Sequence, residues 1–336
     1  MSVNERGRPI AAVTLSDVAR AAGVGESTVS RVLRNHGSFT PGTRDRVLAA
    51  VARLGYVPNR IAGALASTDS NLIALVIPSL ANIVFPDVLR GANAALAGTG
   101  CQTVVGVTDY DPGEEEAIVR ALLAWRPRAV LIAGLEHTPG ARAMLEGAGI
   151  RVAEVLDIDG EGIDIVVGFS NRAAGAAAAR HLIGRGYRRL GYVGHDLERD
   201  TRAAKRLAGF REAIGAAGVD FADLEITPVS SAMEAGRRGL ERLLARRPDL
   251  DAVYFSNDDM AIGGYFHCLA AGIDVPGRLA LFGHNGLDAA RAAPKPLTTI
   301  LTPRFAAGET AVRLVLGDGP STVVDLGFEL IEGATA

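Results

Sequence analysis

The stretch TLSDVARAAGVGESTVSRVLR, residues 14–34, most constrains what this chain folds into, because it reads as a helix, a glycine turn and a second, exposed helix. Thr14 followed three residues later by Asp17 is a capping box, so a helix starts near Leu15 and runs to about Ala22. Leu15, Val18, Ala19 and Ala22 form its apolar face. Gly23 takes the tight turn, Val24 fills the angle, and a second helix follows with Val29, Val32 and Leu33 inward. Glu26, Ser27, Thr28 and Arg31 are left outward. Short polar groups at a helix start, with an arginine one turn on, suit base edges and phosphates in a DNA major groove. Thr40 and Pro41 open a third helix with cap and N1 proline in their preferred places. Val47, Val51 and Leu54 carry its buried face, and Gly55 stops it.

At 336 residues the chain is too long for one typical domain and suits a small one plus a larger bilobed one. A hydrophobic content of 48% with only 5% aromatics and 40 glycines points to an alanine-packed α/β protein. Charge is uneven along it. Residues 1–68 hold nine arginines and no lysine against Glu5, Asp17, Glu26 and Asp45, an excess of five positive charges; with the whole chain at −3, the remainder carries about −8. A basic head on an acidic body fits a phosphate-binding module joined to a ligand-binding one. Cys101 and Cys268 lie in separate apolar stretches and read as packed thiols, consistent with a cytoplasmic protein. MSVNERGRPI has no apolar run behind its arginines and no membrane-length apolar run follows, so neither an export signal nor a span is expected.

From Asn71 onward short apolar runs alternate with helical stretches. Strands are expected at 72–77, 102–107, 129–133, 152–156 and 164–167, then in a second series at 189–194, 225–229, 251–255 and 279–283. Helices in the second series fall at about 171–184, 202–217, 233–246 and 259–271. This spacing implies right-handed crossovers and two doubly wound parallel sheets, one per lobe, with a ligand cleft at the carboxyl ends of the strands. No GxGxxG follows a strand, GxxxxGK[ST] and G-x-S-x-G are absent, and the six histidines show no paired metal spacing. No enzyme activity, cofactor or metal site is therefore expected.

The run DVARAAGVGESTVSRVL and the segment GYVPNRIAGAL resemble the lactose-repressor (LacI/GalR) family. Further along, IPSLANIVFPDVLRG, the EHTP loop, DIVVGFSN, RLAGF, SNDDMAIG, LTPR and DLGFEL resemble its gluconate-operon repressor branch. The resemblance covers almost the whole chain. It implies a small all-α helix-turn-helix headpiece (1–58), a hinge helix and linker (59–70), and a periplasmic-binding-protein-like core (71–336). The core's first lobe would span about 71–168 and 301–326, and its second about 169–299. It further implies a homodimer on palindromic operator DNA, controlled by a small sugar-acid effector; a different sugar, or a co-repressor logic, is the alternative. No heptad tail follows Glu332, which favours a dimer over a tetramer.

By the same resemblance Glu26, Ser27 and Arg31 read bases, while Thr28, Ser30 and Asn35 hold phosphates or fix the helix. Glu26 either accepts from a cytosine N4 or is solvated. Gly25 departs from the family's usual serine. Asn59, Arg60 and Leu65 belong to the hinge segment, whose eight residues with Gly63 among them hold no helix alone in water. Leu65 matches the leucine that wedges into the minor groove. In the cleft, Arg206 matches the effector-binding arginine, whose fork suits a carboxylate. Asn257 exchanges hydrogen bonds with a hydroxyl, and Asp258 either accepts one or caps its helix. Phe85 and Phe169 cover an apolar sugar face, and Ser79, Asn82, Glu136, His137 and Ser231 are further candidates. Asn285 stands where many relatives place an aspartate, which removes a repulsion that an anionic ligand would feel.

Overall fold

The computed structural model describes residues 13–33, 37–57, 70–228 and 231–336. Asn35 and the hinge segment with Asn59, Arg60 and Leu65 lie outside the described residues. The chain forms two compact units, Met1–Thr68 and Asp69–Ala336.

The first unit contains α1 (Leu15–Ala22), α2 (Glu26–Leu33) and α3 (Pro41–Leu54). Thr14 and Asp17 close the capping box, the Thr14 amide donating to Asp17 Oδ2 at 3.0 Å and the Asp17 amide to Thr14 Oγ1 at 3.2 Å. Gly23 takes φ 65° at the end of α1, where a side chain would be strained. The expected face is buried: Val18, Ala19, Ala22, Val29, Val32, Val47 and Ala50 make one cluster, with Leu15, Val24, Leu33, Val51 and Leu54 around it.

In the second unit, β1 (Leu72–Ile77), β2 (Gln102–Val107), β3 (Ala129–Ala133), β4 (Arg151–Val155), β5 (Ile165–Gly168) and β11 (Thr322–Asp325) form a parallel sheet in the order β11-β5-β4-β3-β1-β2. Period-two alternation splits its residues between two faces. Ile73, Leu75, Leu131 and Val155 pack under α4 (Val84–Leu96) and α12 (Arg304–Leu316). Ala74, Val76, Val130 and Ile132 pack under α5 (Pro112–Ala124) and α6 (Pro139–Gly147).

The second lobe repeats this plan. Here β6 (Arg189–His195), β7 (Asp220–Thr227), β8 (Ala252–Phe255) and β9 (Ala280–Phe282) run parallel in the order β7-β6-β8-β9. One face carries α7 (Asn171–Gly184) and α8 (Thr201–Ala216), the other α9 (Met233–Arg246) and α10 (Asp258–Ala271), and α11 (Asp288–Arg291) follows β9. The helices α7 and α8 meet backbone to backbone. A Cβ at Gly175 would lie 1.8 Å from the Arg206 carbonyl oxygen and one at Gly209 1.9 Å from that of Arg172, so only glycine permits this crossing.

A short antiparallel pair, β10 (Thr299–Leu301) with β12 (Glu329–Ile331), completes the fold. The chain passes between the lobes three times, at 169–170 after β5, at 302–303 after β10 and at 326–328 after β11. The first and third crossings touch: Leu326 donates to the Gly168 carbonyl at 2.7 Å, and the Phe169 and Phe328 rings meet edge-on at 6.3 Å. The strand expected at 225–229 begins five residues earlier and stops before Pro228, which has no amide to give a ladder. No helix among the described residues is long and apolar enough to cross a membrane.

Candidate functional site

On the headpiece Glu26, Ser27 and Arg31 are exposed along α2, with Thr28 and Ser30 half-buried beneath them. Arg31 Nε donates to the Ser27 carbonyl at 3.3 Å, which draws the arginine stem along its own helix and leaves the guanidinium tip at the surface. Because Gly25 has no side chain, it offers only its carbonyl, which accepts from the Thr28 and Val29 amides. The serine cap usual in the family is thus replaced by backbone alone.

In each lobe the strand order reverses beside a neighbouring pair, β1 and β3 in the first, β6 and β8 in the second, which opens a crevice at their carboxyl ends. Ser79 and Asn82 follow β1, and Glu136 follows β3. His195 ends β6, and Ser256 and Asn257 follow β8. Helix α8 delivers the arginines to this seam.

Arg206 is 5% exposed. Its Nη1 donates to Asn171 Oδ1 at 2.9 Å and its Nη2 to the Ser256 carbonyl at 3.2 Å, while Nε is buried without a partner. Beyond Ser256 an amide chain continues: Asn285 Nδ2 donates to Asn257 Oδ1 at 2.9 Å, and Asn257 Nδ2 to Ser231 Oγ at 3.0 Å. Asn285 has φ 110°, a strained backbone for a side-chain-bearing residue. It is held there by its amide bond to the Ile300 carbonyl and by Arg304 Nη1 on its own carbonyl.

One turn before Arg206, Arg202 lies 5.5 Å over the Phe85 ring. Tyr110 meets Phe85 edge-on at 6.3 Å and the His195 ring at 6.4 Å, with its hydroxyl in hydrogen-bonding reach of Asn82. Burial pushes that hydroxyl's pKa up, so it stays neutral. Asp200 caps α8 through the Ala203 amide and approaches His195 Nε2 at 3.3 Å. Burial opposes its charge, but His195 and the two arginines overcome this and hold the carboxyl well below the usual range. His284 is driven the other way, lowered by burial and then by Arg206, and is neutral.

Several expected site residues are placed elsewhere. His137 does not face Arg206; its ring is fully buried between Glu115, at 2.7 Å from Nδ1, and Glu154, at 3.3 Å from Nε2. Burial disfavours its charge, yet the two glutamates raise its pKa to about 9. Asp258 neither caps nor opens to the cleft, because Oδ1 accepts from Thr299 Oγ1 and Oδ2 from the Leu287 amide, both at 2.7 Å. Burial pushes its pKa up to about 7. Phe169 packs between Phe328 and His284 at a lobe crossing. Ser79 accepts only from the Ala81 amide. Glu136, by contrast, stays at the seam near Arg202 and ties the lobes together, with Lys205 Nζ at 2.6 Å and Thr201 Oγ1 at 2.8 Å.

Arg202, Tyr110, Asp200, His195 and Asn171 were not singled out from the sequence. Arg202 had a usable signal, since it stands four residues before Arg206 and so on the same helix face. Tyr110 sits with φ 60° in an irregular loop that no periodicity reports. Among the described residues no group of three or more His, Cys, Asp or Glu is placed to hold a metal ion.

Residues 14–59 match the family described as bacterial regulatory proteins, lacI family, and residues 179–335 match the periplasmic binding protein-like domain. The chain is 40% identical over 97% of its length, and 95% of the relative's, to the HTH-type transcriptional regulator GntR of Pseudomonas aeruginosa. Its fold matches the crystal structure of a LacI-family transcriptional regulator from Silicibacter pomeroyi with a TM-score of 0.92 and 46% identity, covering 96% of this chain and 99% of that one. It also matches the lac repressor dimer bound to operator and an anti-inducer, with a TM-score of 0.81 and 25% identity over 97% and 99% of the two chains. The chain belongs to the lacI family of bacterial regulatory proteins, and it is a DNA-binding transcriptional regulator rather than an enzyme.

Proposed function

We propose that this regulator is a cytoplasmic repressor, acting as a homodimer on a palindromic operator and released by a sugar acid of the gluconate type. Residues 1–58 serve as the reader, 59–70 as the hinge, and the two lobes beyond as the effector core. The observation that carries the effector reading is the charge of the cleft. Two buried guanidiniums, Arg202 and Arg206, act on the ionised carboxylate of Asp200, and the other carboxylate near Arg202, Glu136, is taken up by Lys205 at 2.6 Å, while His284 and Tyr110 are neutral. An uncompensated buried cation is costly, and a monoanion entering the seam offsets it. Amide and hydroxyl groups of Asn82, Asn257 and Ser231 suit the polyol that carries such an anion. The similarity to the HTH-type transcriptional regulators GntR supports the regulator part of this reading.

Effector control follows from linkage: the ligand shifts operator affinity only through its different affinity for two lobe arrangements. A thermal-shift screen of sugar acids against neutral sugars tests the reading. At about 100 times its dissociation constant the effector adds roughly 2.7 kcal/mol of stability. Gluconate is expected to stabilise the protein and weaken operator binding. Stabilisation by a neutral sugar alone would overturn the sugar-acid class, and tighter operator binding with gluconate would reverse the logic to co-repression.

A further inference from the structure

We propose that Arg202 is the residue that receives the effector's carboxylate, and that Arg206 chiefly positions the walls of the site; this rests on the sugar-acid reading above. The two arginines differ in what their donors already do. Both terminal nitrogens of Arg206 are committed, Nη1 to Asn171 and Nη2 to the Ser256 carbonyl, which leaves Nε as its unpartnered nitrogen. Arg202 is 8% exposed, yet its guanidinium makes no hydrogen bond to any described residue. Its closest anion, Asp200 Oδ1, is 3.8 Å away and already accepts from the Ala203 amide.

Unlike Arg206 Nε, no Arg202 nitrogen is sealed from solvent without a partner, so its N–H donors are open to an incoming anion. A carboxylate answers them with two parallel charge-assisted bonds, which Arg202 can form without breaking any existing one. At Arg206 the same geometry would compete with Asn171 and Ser256. The setting of Arg202 is also built for a planar fork. Its guanidinium lies over the Phe85 ring, and Gly134, at the end of β3 with φ 96°, gives it room: a Cβ there would stand 2.9 Å from Nη1. Arg202 comes from the second lobe, while Phe85 and Gly134 belong to the first, so an anion held on it lies at the seam between the lobes. Arg206, by contrast, fastens α8 to α7 and to the end of β8 within one lobe.

Calorimetry on the full chain separates the two roles, with gluconate as the charged probe and glucitol, which carries a hydroxymethyl in place of the carboxylate, as the neutral one. The wild type is expected to prefer gluconate at least tenfold. In R202Q gluconate affinity falls roughly ten- to a hundredfold, as loss of a charged hydrogen-bonded pair predicts, while glucitol affinity stays within about threefold. In R206Q both ligands weaken in similar proportion and the melting temperature drops, because Asn171 and the Ser256 carbonyl lose their donor. R202K, which keeps the charge but loses the fork, decides the matter if R202Q does not fold, and its preference is expected to fall at least threefold. A wild-type preference retained in R202Q or R202K but lost in R206Q would overturn the assignment and leave the sugar-acid reading intact. A wild type that binds gluconate no better than glucitol, or binds neither, would remove both.

Discussion

Replacing Arg31 with alanine removes the one long cation on the exposed face of α2 while leaving Val29 and Val32 in the headpiece core. A good base contact is worth about 1–3 kcal/mol. The variant is therefore expected to lose discrimination between operator and scrambled DNA in competition at fixed salt, with non-specific binding falling less; full retention of the preference would show that Arg31 does not read bases. His137 makes a different prediction. Its folded pKa of about 9 lies above the ordinary 6.5, so the ion pairing with Glu115 and Glu154 contributes in full below about pH 6.5 and is lost as pH rises through about 9. The melting temperature of the wild type should fall more steeply between about pH 7 and pH 9 than that of His137→Gln, which itself costs about 1–3 kcal/mol at neutral pH; equal slopes would remove the ring as the source. Residue types pointed to both sites, but a sequence carries no sign of where a polar side chain spends its bonds. His137, in an EHTP loop at a strand end, had the look of a ligand group and is sealed between two acids. Arg202, which was not singled out from the sequence, is buried at the seam.

At the element scale the crossing of α7 and α8 sets the position of both cleft arginines. Gly175→Ala places a methyl against the Arg206 carbonyl, backbone that has no rotamer to yield, so the helices must separate. A loss of about 1–3 kcal/mol is expected, accompanied by weaker effector binding in calorimetry. Gly184→Ala near the end of α7 meets nothing within 4 Å and should instead stabilise by about 0.4–1 kcal/mol. If both changes lower the melting temperature equally, close approach is not what Gly175 serves. The central strands were legible because burial on both faces makes them continuous apolar runs, as in LIALVI and AVLIA. Of the edge strands, β7 was legible only at its end and β11 not at all. β7 is half-exposed along DFADLEIT, and β11 alternates half-buried and exposed residues over TVVD, so neither shows an apolar run, and their pairing is fixed by the neighbouring strand. β10 and β12, of three residues each, are too short for any periodicity.

For the whole molecule, α10 leaves Phe266 and Leu269 at 47% and 54% exposure on its outer face, two large apolar groups one turn apart. The proposed homodimer would cover them. Phe266→Glu should then shift the protein toward monomer in sedimentation equilibrium and weaken operator binding by at least tenfold, since each half-site would be bound singly; an unchanged dimer would place the interface elsewhere. The three crossings between the lobes carry a further consequence, a mechanical one. Two rigid bodies joined by a single strand keep three rotational freedoms, and a ligand between them sets both the axis and the extent of any motion. Three crossings of two or three residues each, the first and third clasped through Phe169 and Phe328, leave a single axis that the protein itself defines. Whatever is bound then chooses only how far the lobes turn. On the proposed effector reading, substitutions at Arg202, Asn257 or Asn285 change which molecule is sensed without changing the movement that reports it, which leaves the cleft free to acquire new chemistry while its output stays the same.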